Sequence, residues 1–184
     1  AQGGNSSIPE AMARALAAEV HLGKAVTSIG QSPSGVQAEG EDGSRWTGRY
    51  AVCALPLAPL RWMRFDPLLP AHWLEAVQML PQMWITQVHL VADRPFWESD
   101  GLNPAMWTDG PAGSVVPYRN GSREADVTSL TAWGRGFTAH HLDSLGPEGA
   151  GRAVVAAIEA LRPAARGALR VAGFKSWQLD PFAG

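Results

Sequence analysis

Apolar and polar residues recur along this chain with two different periods, and the changes of period mark its elements. Residues 9–18 are rich in strong helix formers, with Met12 and Leu16 four apart, and Ser7-Ile8-Pro9-Glu10 has the spacing of a capping box with proline early in the first turn. A short helix is predicted there. The pattern then changes to β-prone runs at 20–22, 25–29, 36–39, 45–47 and 50–55, parted by Gly23, by Ser32-Pro33-Ser34-Gly35 and by Glu41-Asp42-Gly43-Ser44. The last separator suits a hairpin, because Asp and Gly tolerate the positive φ of tight turns. Strands joined in this way predict a meander.

Prolines in Leu55-Pro56-Leu57-Ala58-Pro59-Leu60 and in Phe65-Asp66-Pro67-Leu68-Leu69-Pro70 end the strand run ahead of a helical stretch over 71–79, so a crossing between layers or domains is expected. In residues 83–92, polar Thr86 and Gln87 interrupt a β-branched and aromatic run, the pattern of a half-buried strand. Further strands are predicted at 105–108, 114–118, 127–133 and 169–177. Val154, Val155, Ile158 and Leu161 lie at helical spacing and predict an amphipathic helix over 151–161 that Pro163 stops. The fold class is α+β.

Composition narrows the class. With 184 residues, 46% hydrophobic and 17% charged, the chain can bury a core. A net charge of -2, from 15 basic and 17 acidic residues, argues against a nucleic-acid surface. No apolar stretch nears the roughly 18 residues of a membrane span, and the first five residues lack the basic and apolar regions of a secretion signal, so a cytoplasmic protein is expected. The single cysteine, Cys53 in Ala51-Val52-Cys53-Ala54-Leu55, excludes an internal disulfide and a cysteine-built metal site, and reads as a reduced, buried strand residue. The absent initiator methionine and the turn-like ending Asp180-Pro181-Phe182-Ala183-Gly184 read as a segment of a longer polypeptide.

Residue types that carry chemistry give no motif by themselves. Eight tryptophans (46, 62, 73, 84, 97, 107, 133 and 177) could line an aromatic cavity, though most are expected to pack core or sheet. His140-His141 near Asp143 does not make a metal site, since adjacent side chains point apart, and solvated or capping histidines are expected. Asp93, Glu98, Asp100 and Asp109 around Pro95-Phe96-Trp97 are expected to sit in a solvated loop rather than to work as acid and base. No Gly-x-Ser-x-Gly elbow and no Gly-x-Gly-x-x-Gly or Walker loop occurs. These residues alone describe an α+β chain with a tryptophan-rich sheet.

The order of motifs goes further. Gly3-Gly4, the helix after it, Val20 and Leu22 followed by Val26 and Ile29, the hairpin through Asp42-Gly43, Tyr50-Ala51-Val52-Cys53-Ala54-Leu55-Pro56 and Phe65-Asp66-Pro67-Leu68-Leu69-Pro70 come first. Arg94-Pro95-Phe96-Trp97, Trp107-Thr108-Asp109-Gly110, the helix ending at Leu161, Lys175-Ser176-Trp177 and Phe182-Ala183-Gly184 follow. In this order, across essentially the whole chain, they resemble the flavin-dependent amine oxidase family, the relatives of monoamine oxidase.

The resemblance implies a mixed-sheet substrate domain flanked by helices over 57–166, with partial segments of an FAD-binding α/β domain at 1–56 and 167–184. Gly3, Gly4, Val26, Leu55 and Pro56 fall on its cofactor side, Val26 through its backbone near adenine. Trp177 matches an aromatic residue beside the flavin ring, and Gln87 stands where many members place a lysine water-bridged to flavin N5. Trp84, His89 and Trp107 are further cavity positions. The resemblance implies FAD, a small amine as substrate, hydride transfer to flavin, imine hydrolysis and reoxidation by O2 with peroxide release. The dinucleotide fingerprint and the glycine-rich FAD motif belong to missing parts of the same polypeptide, so this segment alone is expected to be inactive and to hold FAD poorly. Two other readings stand beside it: a noncatalytic binding or interaction domain on this scaffold, and a desaturase-like or protoporphyrinogen-oxidase-like flavoprotein.

Overall fold

A computed structural model describes residues 4–119 and 127–183. The chain divides into two compact units, Ala1–Gln82 with Pro181–Gly184, and Met83–Asp180.

In the first unit, α1 (Ser7–Ala15) begins at Ser7, whose hydroxyl donates to the Gly4 carbonyl at 2.7 Å instead of capping the helix. Strands β1 (Val26–Ser32), β2 (Gly35–Gly40) and β3 (Arg45–Gly48) form the predicted meander. At its second turn, Asp42 Oδ1 accepts from the Ser44 amide at 3.0 Å and from the Ser44 hydroxyl at 2.6 Å, and Lys24 pairs with the other carboxylate oxygen. The Lys24 hydrogen bond, followed by those of Ser44, holds the Asp42 carboxyl well below the usual aspartate range. After α2 (Leu57–Leu60), β4 (Arg64–Asp66) adds parallel to β1 and gives the order β3-β2-β1-β4. Arg61 donates to the Val77 and Leu80 carbonyls at 2.9 and 2.5 Å, tying the end of α2 to α3 (Ala71–Met79).

The second unit is a five-stranded sheet, antiparallel at every strand pairing. It contains β5 (Ile85–Ala92), β6 (Met106–Trp107), β7 (Ser114–Arg119), β8 (Val127–Arg135) and β9 (Leu169–Ser176), in the order β6-β7-β8-β5-β9. Alternation along β5 sends Thr86, Val88 and Leu90 to one face, where Leu130, Ala132 and Val115 join them. Against them pack Phe96 of α4 (Phe96–Asp100), Leu142 of α5 (Phe137–Ser144), and Val154 and Ile158 of α6 (Gly146–Leu161). Each such fully buried aliphatic or aromatic side chain contributes about 1.5–3 kcal/mol of transfer free energy.

Close approach of α6 to β9 depends on Gly151. A Cβ there would stand 2.8 Å from Cγ2 of Val171, a β-branched side chain with little freedom to turn away. Gly151→Leu is therefore expected to destabilise the protein by about 1–3 kcal/mol through overpacking, measured as a lowered urea midpoint.

Several expectations are corrected. Residues 20–22 and 50–55 are not strands: no strand among the described residues pairs with them, so their β propensity finds no ladder. Cys53 is consequently exposed, not buried. The parallel pairing lies in the first unit, not in the central sheet. The compact units divide after residues 82 and 180, and β9 pairs along its length with β5. Asp100 is not a solvated loop residue; it forms a bidentate pair with Arg162, whose side chain is 6% exposed. Among the described residues no helix is long and apolar enough to cross a membrane.

Candidate functional site

Directly paired residues in antiparallel strands share a face, so the register assigns the second face of the central sheet. Trp107 pairs with Ser114, Ser114 with Trp133, Trp133 with Gln87, and Gln87 with Lys175. Five strands thus contribute one lateral row of aromatic, amide, hydroxyl and cationic groups, on the side opposite the helix-covered core. Along β5 and β8 the neighbouring pairs on this face are Ile85 with Arg135 and His89 with Thr131.

Gln87 holds the middle of the row and is only 7% exposed. Its Oε1 accepts from Trp177 Nε1 at 2.8 Å, which fixes the amide orientation and leaves the Nε2 hydrogens without a partner among the described residues. Lys175 lies 5.0 Å from the centroid of the Trp177 ring and is neutralised by Asp180. His89 Nδ1 is 2.9 Å from Thr131 Oγ1, and Gly173 stands opposite His89 on β9. At the other end, Arg135 Nη1 donates to Ser114 Oγ at 2.7 Å, with the guanidinium carbon 5.8 and 5.5 Å from the centroids of Trp107 and Trp133. Two buried polar atoms lack partners among the described residues, Trp133 Nε1 and Thr108 Oγ1.

The turn that carries Trp177 is fixed from behind. Trp177 donates its amide to the Ile85 carbonyl at 3.0 Å, and Gln178 Oε1 accepts the Ile85 amide at 2.9 Å. On the helix side, Asp143 of α5 accepts from Thr86 Oγ1 at 2.7 Å, from Ser176 Oγ at 3.0 Å and from Gln178 Nε2. Asp143→Ala leaves these donors without their charged acceptor, and a loss of about 2 kcal/mol in urea denaturation is expected.

The structure therefore brings Gln87, Trp177, His89 and Trp107 to one face. Trp84 is separate: it stacks on His140 of α5 at 5.3 Å and 19°, on the helix side of the sheet. The cofactor-side positions lie in the first unit. Val26 begins β1 opposite Gly40, Leu55 and Pro56 are exposed ahead of α2, and Gly4 forms the turn before α1 with φ +85°. Gly3 lies outside the described residues. Sequence reasoning missed Ser114, Arg135, Lys175 and the particular placement of Trp133. Alternation would have paired Trp133 with Arg135, but only the register adds the other strands.

The family model for flavin-containing amine oxidoreductases matches residues 1–184. The chain belongs to this family. An L-amino-acid oxidase of Bothrops jararacussu is 24% identical over 189 residues, an alignment covering 98% of this chain and 38% of that protein. Among solved structures, wild-type putrescine oxidase bound to putrescine matches with a TM-score of 0.77 at 22% identity, over 98% of this chain and 40% of its own. Cyclohexylamine oxidase from Brevibacterium oxydans matches with a TM-score of 0.70 at 20% identity, over 86% and 35%. The likeness to these two structures is one of fold. The chain spans about two fifths of the length of these relatives.

The residues of the Gln87 face fit the family's flavin in kind. Flat indoles offer stacking surfaces, and the free Gln87 amide hydrogens and the orphaned Trp133 N–H are donors suited to a heteroaromatic ring rich in acceptor atoms.

Proposed function

We propose that the chain is part of an FAD-dependent, monoamine-oxidase-like amine oxidoreductase, with Met83–Asp180 forming the substrate side and the first unit carrying cofactor-side contacts. The observation that supports this reading best is the Gln87–Trp177 pair, held on the open aromatic face of an interior strand in a chain of this family. Bound FAD supplies the acceptor for a hydride from the carbon bearing the amine, after which water hydrolyses the imine and O2 takes the electrons as hydrogen peroxide.

The protein's own part is orientation and exclusion of water. The Trp177 indole covers the reacting region, and its N–H commits Gln87 Oε1, so that the amide directs N–H donors outward. Gln87 thereby donates from a neutral group where many members use a charged lysine. Thr131 engages Nδ1 of His89 and leaves the other ring nitrogen as its remaining polar atom. In the first unit, the backbone of Val26 would meet adenine, and Gly4, Leu55 and Pro56 would face the cofactor. The exposed Leu22, Tyr50, Val52 and Trp62 of that unit are surfaces for the remaining parts of the same polypeptide.

The full-length protein, purified without added cofactor, should show a visible flavin spectrum that bleaches anaerobically with a productive amine and recovers in air with release of peroxide. Residues 1–184 alone, mixed with FAD and freed of excess, should retain far less than one equivalent. A full-length protein without flavin overturns the reading.

A further inference from the structure

We propose that Asp143 of α5 is a positioning residue for the Gln87–Trp177 pair, setting from the helix side of the sheet how these two groups are presented on the open face. This rests on the flavoprotein reading above, and it adds the residue that aligns the same site from behind.

The end of the β5–β9 ladder carries the argument. Thr86 and Ser176 are its last directly paired residues, both buried on the helix side. Gln87 follows Thr86 and Trp177 follows Ser176, so the site pair lies diagonally across the same two strands on the opposite face. Beyond Ser176 the backbone ladder gives way. Trp177 still donates its amide to the Ile85 carbonyl at 3.0 Å, but its own carbonyl accepts from the Asp180 amide at 3.2 Å in the turn that follows. The Ile85 amide donates instead to Gln178 Oε1 at 2.9 Å. A side-chain amide thus stands in for a strand carbonyl beside Trp177.

Asp143 orients that amide and holds both strands to it. Its Oδ1 accepts from Thr86 Oγ1 at 2.7 Å, and its Oδ2 accepts from Ser176 Oγ at 3.0 Å and from Gln178 Nε2. Gln178 Nε2 also donates to Thr86 Oγ1 at 3.0 Å, so its oxygen and both its hydrogens are committed. A carboxylate, which only accepts, suits three donors at once. The helix that carries it is itself fastened to the start of β5, where the Gly136 amide donates to the Trp84 carbonyl at 2.9 Å and His140 stacks on Trp84. Trp177 is 39% exposed, so packing alone leaves its ring room to turn. Its direction follows from the hydrogen bonds around it, and those on either side of it in the chain run through Asp143.

The test uses the full-length protein carrying isotope-labelled tryptophan, with the Trp177 indole N–H resonance assigned by its loss in Trp177→Phe. Asp143→Ala is expected to shift this resonance upfield as Trp177 Nε1 leaves Gln87 Oε1, and to slow anaerobic flavin reduction by a productive amine about tenfold, less than a displacement near 1 Å costs. Asp143→Asn keeps the side-chain shape and replaces one accepting oxygen by a donor. A smaller shift and about a threefold loss of rate are expected from it, and it carries the test should Asp143→Ala not fold. Arg162→Met is the control for general loosening: it removes a buried tie elsewhere in the unit, and the Trp177 resonance should stay in place. On a Trp177→Ala background, Asp143→Ala should slow reduction by about twofold or less, since the group it aligns is gone. The resonance needs neither flavin nor turnover, so the two readings fail separately. A flavin-containing, amine-reducible protein whose folded Asp143 variants keep the wild-type resonance or the wild-type reduction rate, or in which Arg162→Met shifts the resonance as far, overturns the positioning role alone. A protein that shows the Asp143-dependent shift yet holds no flavin overturns the oxidoreductase reading and keeps the alignment of the pair.

Discussion

Arg162→Met is expected to cost the protein about 3 kcal/mol of stability, because it removes one partner of a buried ion pair and leaves its other contacts unmade. The guanidinium sits just beyond α6 and is 6% exposed. Its Nε and Nη2 donate to the two Asp100 carboxylate oxygens at 2.9 and 2.6 Å, and Nη1 donates to the Asn103 carbonyl at 2.8 Å. The group also lies 4.8 Å from the centroid of Phe96, a core residue. One side chain therefore joins the end of α6 to α4 and the loop after it. The hydrogen bond from Arg162 is the largest influence lowering the Asp100 carboxyl below its ordinary value, against an opposing desolvation. A depressed carboxyl binds its proton less readily in the folded state, so this contribution is complete above the unfolded value of about 3.9 and is lost as pH falls through the depressed one. Urea denaturation from neutral to acidic pH should show the wild type losing an increment that Arg162→Met never had. Equal midpoints for both proteins at neutral pH would refute the role assigned to Arg162.

What the sequence made legible follows from which forces are local. The helix predicted over 151–161 appears within α6, because its apolar stripe at Val154 and Ile158 is a property of the segment itself. Alternation around Thr86 and Gln87 similarly marked β5, and Asp42-Gly43 marked the β2–β3 turn. Residues 50–55 have the same local signature, but a strand needs a neighbour, and none of the described strands takes them. β4 was hidden among prolines, since its pairing is a long-range parallel contact with β1. α5 was hidden too: its exposed Phe137 and adjacent histidines show little helical stripe, and Leu142 is buried by tertiary packing. At the candidate site, motif order singled out Gln87, Trp107 and Trp177 one by one. Their joining with Ser114, Trp133 and Lys175 depends on the register of five strands, which no local period encodes. Trp84 shows the converse, because an indole three residues before Gln87 falls on the opposite side of the sheet, against His140.

Trp177→Ala is expected to slow anaerobic flavin reduction by a productive amine by about 100-fold, the scale of a loss of positioning near 1 Å. Without the indole, Gln87 Oε1 loses its donor at 2.8 Å and the amide is free to flip, while Lys175 loses the ring it lies over. Trp177→Phe keeps a six-membered aromatic ring and removes the N–H together with the five-membered ring that carries it. About a tenfold loss is expected from it, a size appropriate to one hydrogen bond that orients a second group. Gln87→Leu removes the same bond from its other end and also deletes the outward amide donors, so it should be slower still. If the indole acts through Gln87, adding Trp177→Phe to Gln87→Leu should cost little more, and the double-mutant cycle should give a coupling of about 1 kcal/mol in the reduction rate. Full additivity would mean that the two side chains touch without one positioning the other. A merely structural role would lower the urea midpoint and leave the reduction rate of the folded protein unchanged, so stability and single-turnover rate must be measured on the same preparations. The pair is worth this test because its hydrogen bond crosses from the end of β9 to an interior strand, fastened behind by the Asp143 network and facing a row of groups that the core does not use.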